Sequence, residues 1–221
     1  MSFGFQYTDT SGNVIIDQTY QNMGMRQKST YSMTAGQIVA VSYTGNFPLI
    51  AINATGYAGV MQTDYSNYTG ATPLTVTWYI QCSVAGTVNV YFFDVPAPST
   101  STFGMKIFDQ VGNNVFNTDN NYLRVIDVWG ATFSGSSRPT VTRSGYPSGT
   151  YAVVLGWPRL LFTSFTTPIT YQTDGINCTS TSVTVASNVS GTGGNSFGWS
   201  DHTGYQYSGT SINMTINVTG Y

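Results

Sequence analysis

The sequence predicts an all-β protein, and three observations lead there. Only 7% of its 221 residues are charged, where a soluble domain carries about a quarter. The nine acidic residues are all Asp, and lysine occurs only at Lys28 and Lys106. Glu and Lys are strong helix formers, so their scarcity removes the usual solvated face of a surface helix. Thr and Tyr, which suit a pleated strand, take their place, together with Gly, Asn and Ser, which suit turns. Finally, no segment repeats its apolar residues with the helical period, whereas short alternating runs bounded by turn residues recur along the chain. The expected architecture is two β-sandwich-like domains, each opened by a similar β-hairpin.

The opening hairpins are read from an internal echo. Phe3-Gly4-Phe5-Gln6-Tyr7-Thr8-Asp9 and Gly12-Asn13-Val14-Ile15-Ile16-Asp17 return as Phe103-Gly104-Met105-Lys106-Ile107-Phe108-Asp109 and Gly112-Asn113-Asn114-Val115-Phe116-Asn117. The spacing is 100 residues without a gap. In each copy an alternating run makes a half-buried strand. Asp then caps a turn, Gly supplies a positive φ, and a β-branched run returns. The same Asp-x-x-Gly-Asn lacks the repeated acidic ligands of a calcium loop. Two copies predict a duplicated unit rather than a solenoid.

Between the copies lies Val95-Pro96-Ala97-Pro98-Ser99-Thr100-Ser101-Thr102, which reads as a linker or a crossing between sheets. The boundary is placed near residue 99, giving domains 1–99 and 100–221. Strands are expected at 37–43, 74–82 and 87–93, the last two joined as a hairpin around Ala85-Gly86. In the second half they are expected at 123–128, 150–155, 181–186 and 212–218, with 150–155 the most apolar and central. Residues 191–199 read as a long loop carrying aromatics.

The charge pattern narrows the function. Net charge is −2 and no long basic run occurs, so neither nucleic acid nor an anionic membrane is attracted. No apolar run is long enough to cross a membrane as a helix. The first residues, Met1 to Gln6, show neither the basic region nor the apolar stretch of a secretory leader. The six Asn-x-Ser/Thr sequons, at Asn53, Asn67, Asn177, Asn188, Asn213 and Asn217, are then expected as products of composition rather than glycan sites. Cys82 and Cys178 lie in different halves and are expected as two buried thiols, not a bridge.

Catalytic groups are sparse. His202 is the one histidine, and it follows Asp201 directly, which points the two side chains apart in a strand. One His and two distant Cys do not compose a metal site, and no cofactor is implied. A glycan hydrolase would need a pair of carboxylates. Asp9, Asp109 and Asp119 sit in turn contexts, while Asp127, between Ile126 and Val128, could be partly buried. No enzyme is expected. Loop aromatics are the remaining surface chemistry. Tyr146, Trp199, Tyr205 and Tyr207 lie among Gly, Ser and Asn, a composition that makes adaptable contacts and could stack on sugar rings.

The two echoed stretches, with Asn121-Tyr122-Leu123-Arg124-Val125-Ile126-Asp127 after the second, resemble the opening strands of structural proteins associated with bacteriophage tails, at the distal tail, tail tip or fibre region. Asn117 departs from the pattern, which has Asp there. The resemblance implies a virion component assembled in the bacterial host cytoplasm. Its expected partners are other tail proteins, further copies of itself in a homo-oligomer, and host surface glycans if it takes part in attachment. A carbohydrate-binding adhesin module is the alternative expectation, and a glycan hydrolase the third. The resemblance carries over no catalytic residue.

Overall fold

A computed structural model describes residues 6–8, 14–17, 22–66, 73–96, 102–132, 139–157, 160–164, 169–193 and 210–221. Among these residues the chain is all strand, turn and loop. In chain order the strands are β1 (Gln6–Thr8), β2 (Val14–Asp17), β3 (Gly24–Met33), β4 (Ile38–Gly45), β5 (Leu49–Ala54), β6 (Ala58–Ser66), β7 (Leu74–Cys82) and β8 (Gly86–Asp94). The second half supplies β9 (Lys106–Phe108), β10 (Asn114–Asn117), β11 (Val125–Thr132), β12 (Val141–Ser144), β13 (Tyr151–Trp157), β14 (Leu160–Ser164), β15 (Ile169–Cys178), β16 (Ser182–Gly193) and β17 (Thr210–Asn217). Two large sheets pack as a sandwich. Sheet I has the order β11-β17-β13-β5-β8-β3, and sheet II the order β12-β16-β15-β6-β7-β4 with β14 beside β15. Every pairing is antiparallel.

The core lies between the sheets. Ile52, Val90, Phe92 and Val153 of sheet I meet Val76, Trp78, Ile80, Ile176 and Val185 of sheet II in one buried cluster. Tyr43 stacks on Phe92 at 5.4 Å and Trp78 tilts against it at 5.8 Å. Each such large side chain contributes about 1.5–3 kcal/mol on leaving water. Both halves feed this cluster. β3, β5 and β8 from the first half and β11, β13 and β17 from the second share sheet I, and sheet II is divided in the same way. Neither sheet breaks at the expected boundary near residue 99. The halves join through strand pairs, Ile52 to Val153 in sheet I and Ala58 to Ile176 in sheet II. The reason is that β5 is apolar on both faces, so its free edge is covered rather than left to water.

β13 is central, as its composition predicts. β7 and β8, however, do not form a hairpin. Both edges of β7 are taken by β4 and β6, and β8 crosses to the other sheet. The crossing at 83–85 lies backbone to backbone on the oppositely directed crossing at 55–57, with Ser83 N–H donating to Tyr57 O at 2.8 Å. Gly56 and Gly86 permit that approach, since a Cβ on either would meet main-chain atoms of the other crossing. β16 extends to Gly193, so the first three residues of the expected loop at 191–199 belong to a strand.

The echo in the sequence is an echo in register. β1 pairs β2 as Gln6–Asp17, Tyr7–Ile16 and Thr8–Val14, skipping Ile15. β9 pairs β10 as Lys106–Asn117, Ile107–Phe116 and Phe108–Asn114, skipping Val115. The same spacing carries into sheet I. β3 pairs β8 as Met25–Phe93 and then Gln27–Phe92, with a bulge at Arg26. β11 pairs β17 as Val125–Ile216 and then Asp127–Thr215, with a bulge at Ile126. A bulge is a specific local device, and here two occur at matched places. Counterparts continue through the sheet: Leu49 faces Phe93 as Ala152 faces Ile216.

These equivalences reveal a pseudo-two-fold axis. The Ile52–Val153 register, continued one step, sets Ala51 opposite Val154, its own counterpart. On the far side, Gly24 bridges Tyr122, and Leu123 N–H donates to Met23 O at 2.9 Å. Met23 and Leu123 are again counterparts, 100 residues apart. The residues leading into β11 thus close on the start of β3, and the two edges of sheet I meet at this end. The closed end encloses a second apolar cluster of Ala51, Tyr91, Phe93, Ala152, Val154, Ile216 and Val218. Tyr221 packs on it, 6.3 Å from Phe93, held by Arg124 Nε to its hydroxyl at 2.9 Å and Lys28 Nζ to its carbonyl at 3.1 Å.

The seam in sheet II yields a stability prediction. A Cβ on Gly59 would fall against the backbone carbonyl of Asp174, across the β6–β15 junction. Gly59→Ala is expected to lower stability by about 3 kcal/mol, the upper part of the overpacking range, measured by thermal and urea unfolding. An unchanged midpoint would show that the seam does not bind the halves.

Candidate functional site

Two places concentrate surface or polar chemistry. The first is the hairpin of β9 and β10. Its turn forms as the sequence predicts. Asp109 Oδ1 accepts from the N–H groups of Val111 at 2.9 Å and Asn113 at 2.8 Å, and Oδ2 accepts from the Asn113 amide at 2.7 Å. Gly112 takes φ +90°, where a side chain would be strained. The Asn113 amide, with these backbone donors, holds the Asp109 carboxyl below its ordinary range. These three donors make the carboxylate the cap of the turn. At the far end Asn117 Oδ1 accepts from Asp119 N–H at 3.1 Å and the Asn120 amide at 2.9 Å, while Phe116 stacks on Tyr122 at 4.8 Å. Asn117 thus supplies the acceptor that Asp would supply in the resembled pattern.

The hairpin combines buried and exposed apolar residues. Ile107 and Val115 are buried, whereas Phe103 is 90%, Val111 83% and Phe108 51% exposed.

The second place lies between the sheets in the second half. Tyr146 Oη donates to Asp127 Oδ2 at 2.9 Å, and Arg143 Nε stands 3.9 Å from the same oxygen. Arg143 also lies over the Trp129 ring at 5.6 Å, and Trp129 Nε1 donates to Thr215 Oγ1 at 3.0 Å. Burial, with the Asp127 carboxylate beside it, raises the Tyr146 hydroxyl above the ordinary phenol range. The Tyr146 ring packs 5.1 Å from Tyr151 and against the main core. The hydroxyl and one face are therefore engaged within the fold. Trp199, Tyr205, Tyr207, Asp201 and His202 lie outside the described residues, as does Asp9.

The duplication shows what is unusual here. In the first half β8 turns Val88, Val90 and Phe92 into the core; their counterparts on β17 are Ser211, Asn213 and Thr215. All six are at most 1% exposed. Ser211 Oγ donates to Ala131 O at 3.3 Å and accepts from the Asn213 amide at 2.9 Å, which leaves Asn213 Oδ1 without a partner. A polar core costs stability unless its groups are satisfied. The alternation Ser-Ile-Asn-Met-Thr-Ile conceals this change, because by pattern alone it points the apolar set to the core and the polar set to water.

Two further carboxylates, Asp94 and Asp174, are buried in the fold. Asp94, 5% exposed, accepts from the N–H groups of Asn46, Phe47 and Val95 at 2.7–2.9 Å. Gly45 lies where any Cβ would collide with it. Asp174 is fully buried in β15, although Thr173-Asp174-Gly175 reads as a turn. Among the described residues no three His, Cys, Asp or Glu side chains stand close enough to hold a metal ion. Cys82 and Cys178 are both free and buried, and burial pushes the Cys178 thiol up to about 12. Comparison with family models, curated proteins and solved structures returned no match.

Two measurements follow from this geometry. Tyr146→Phe removes the donor to Asp127 and is expected to cost about 1–2 kcal/mol, read from urea unfolding; no loss would mean that water replaces the hydroxyl without penalty. Cys178 is expected to resist thiol reagents at neutral pH until the chain is unfolded, because reaction requires the thiolate. Labelling of the native protein at Cys178, located by peptide mass spectrometry, would contradict this.

Proposed function

We propose that this chain is a non-enzymatic structural component of a bacteriophage tail, working through protein–protein contacts. The observation that carries the reading is the duplicated hairpin, repeated with one register and one bulge position in both halves. In the second copy it presents Phe103, Phe108 and Val111 to solvent. These are the stretches that resemble tail proteins in sequence. The low charge supports the same reading, because a surface of hydroxyls, amides and tyrosines opposes broad protein contact only weakly. The carboxylates of Asp94 and Asp109 hold turns together, a building role rather than a chemical one. Its partners would be other tail proteins.

Mass spectrometry of purified virions from the source, with immunogold labelling against this chain, tests the proposal. The expected result is peptides at structural stoichiometry and gold at the tail. Particles that lack the chain would overturn it.

A further inference from the structure

The internal duplication supplies a control for judging the surface of sheet I. The outer strands β3 and β11 are counterparts, as are β8 and β17. On the first half this edge is polar. Arg26, Lys28 and Thr30 are exposed, and Thr30 Oγ1 donates to Asn89 Oδ1 at 2.8 Å. Asn89 in turn donates to Asn53 Oδ1 at 3.0 Å, and Asn53 to Tyr151 O at 2.7 Å. Charged residues on an edge are the ordinary means of keeping strands from pairing with strangers.

On the second half the counterparts of Arg26, Lys28, Thr30 and Asn89 are Ile126, Val128, Gly130 and Ile212. Ile126 is 43%, Val128 64% and Ile212 58% exposed. Ile212 sits opposite Gly130, and Gly156 lies at the bulge on its other side. On the β13 side its register partner is Trp157, across the bulge. The one carboxylate on the strand, Asp127, points the other way, to Tyr146 and Arg143. The fold does not require this patch, since the same positions are polar in the first half.

We propose that the edge of β11, unpaired among the described strands, with Val128 and Ile212 beside it, is the surface on which a second copy of this chain docks, antiparallel, β11 to β11. Two observations select that occupant. The strand is self-complementary about Val128: with Val128 opposite its own copy, each Ile126 faces the partner's Gly130, large against small, and no charge meets a like charge. The contact also continues an interface the chain already uses. Sheet I joins its own halves by setting a strand antiparallel to its counterpart, at Ala51–Val154 and at Met23–Leu123. Because the contact is isologous it closes at a dimer. The inference stands without the tail reading, since purified protein alone decides it.

Sedimentation velocity of the full chain over a concentration series is the test, with Val128→Lys and Ile212→Lys, both at exposed positions, as disrupting variants. The wild type is expected to form a dimer, and both variants a monomer with the wild-type circular dichroism spectrum. Should Val128→Lys fail to fold, Ile212→Lys decides alone. Register is read with Val128→Cys, since antiparallel partners lie within disulfide reach. It is expected to cross-link to itself roughly tenfold or more faster than Ser32→Cys on the β3 edge, as pre-association raises the local concentration. A wild type that is monomeric at its highest soluble concentration overturns the proposal. So does a dimer that survives both lysine variants, or a Val128→Cys chain that cross-links no faster than Ser32→Cys.

Discussion

The two antiparallel junctions within sheet I hold the remaining structure in place. At one, β5 meets β13 through Ile52 and Val153. At the other, the residues before β11 meet the start of β3 through Tyr122 and Gly24. Each sets a segment against its own counterpart, so both are interfaces of the kind found in symmetric dimers, made here within one chain. Together they bend six strands until the sheet edges touch. That bend encloses the cluster of Tyr91, Phe93, Val154 and Ile216 on one face. On the other face it presents Ile52, Val90 and Val153 to sheet II.

With the frame held by symmetry, the two halves were free to diverge. The first half keeps an apolar interior and a charged edge. On the β11 and β17 strands of the second half the pattern is reversed: Ser211, Asn213 and Thr215 inside, Ile126, Val128 and Ile212 outside. A polar interior weakens a core, and an apolar edge invites contact. Neither change improves the isolated molecule.

Much of the fold was legible where a strand is apolar and ends on a clear turn. β7, β8 and β13 have such sequences, and the Asp109 turn follows from the shape of Asp, Gly and Asn alone. β3 was hidden because Arg26-Gln27-Lys28-Ser29-Thr30 has the texture of a loop; it is an edge strand whose polar side faces water. β15 was hidden because Asp174-Gly175 looks like a turn, yet there the backbone runs straight past Gly59 at the seam. The hairpin expected at Ala85-Gly86 is an arch, because a short connection reads alike whether the next strand returns to the same sheet or leaves it. That choice depends on which edges are already occupied, a property of distant residues. The candidate site was legible only in part. The sequence singles out Tyr146 and Asp127, but not that one bonds the other, and not that the interior around them has turned polar.

The covered edge of β5 also has a kinetic consequence. Its partner in β13 lies 101 residues further along, from Ile52 to Val153, so during synthesis the first half exists for some time with that apolar edge open. Long-range pairings of this kind are slow to form and leave strands exposed to capture. Because every copy carries the same β13, that strand of a neighbouring chain fits the open edge of β5 as well as the chain's own β13 does. Exchange of halves between nascent chains would therefore give a product with native contacts throughout, separated from the monomer by chain entropy and concentration rather than by any difference in fit. Crowded synthesis favours the exchanged form, and dilute refolding favours the closed one.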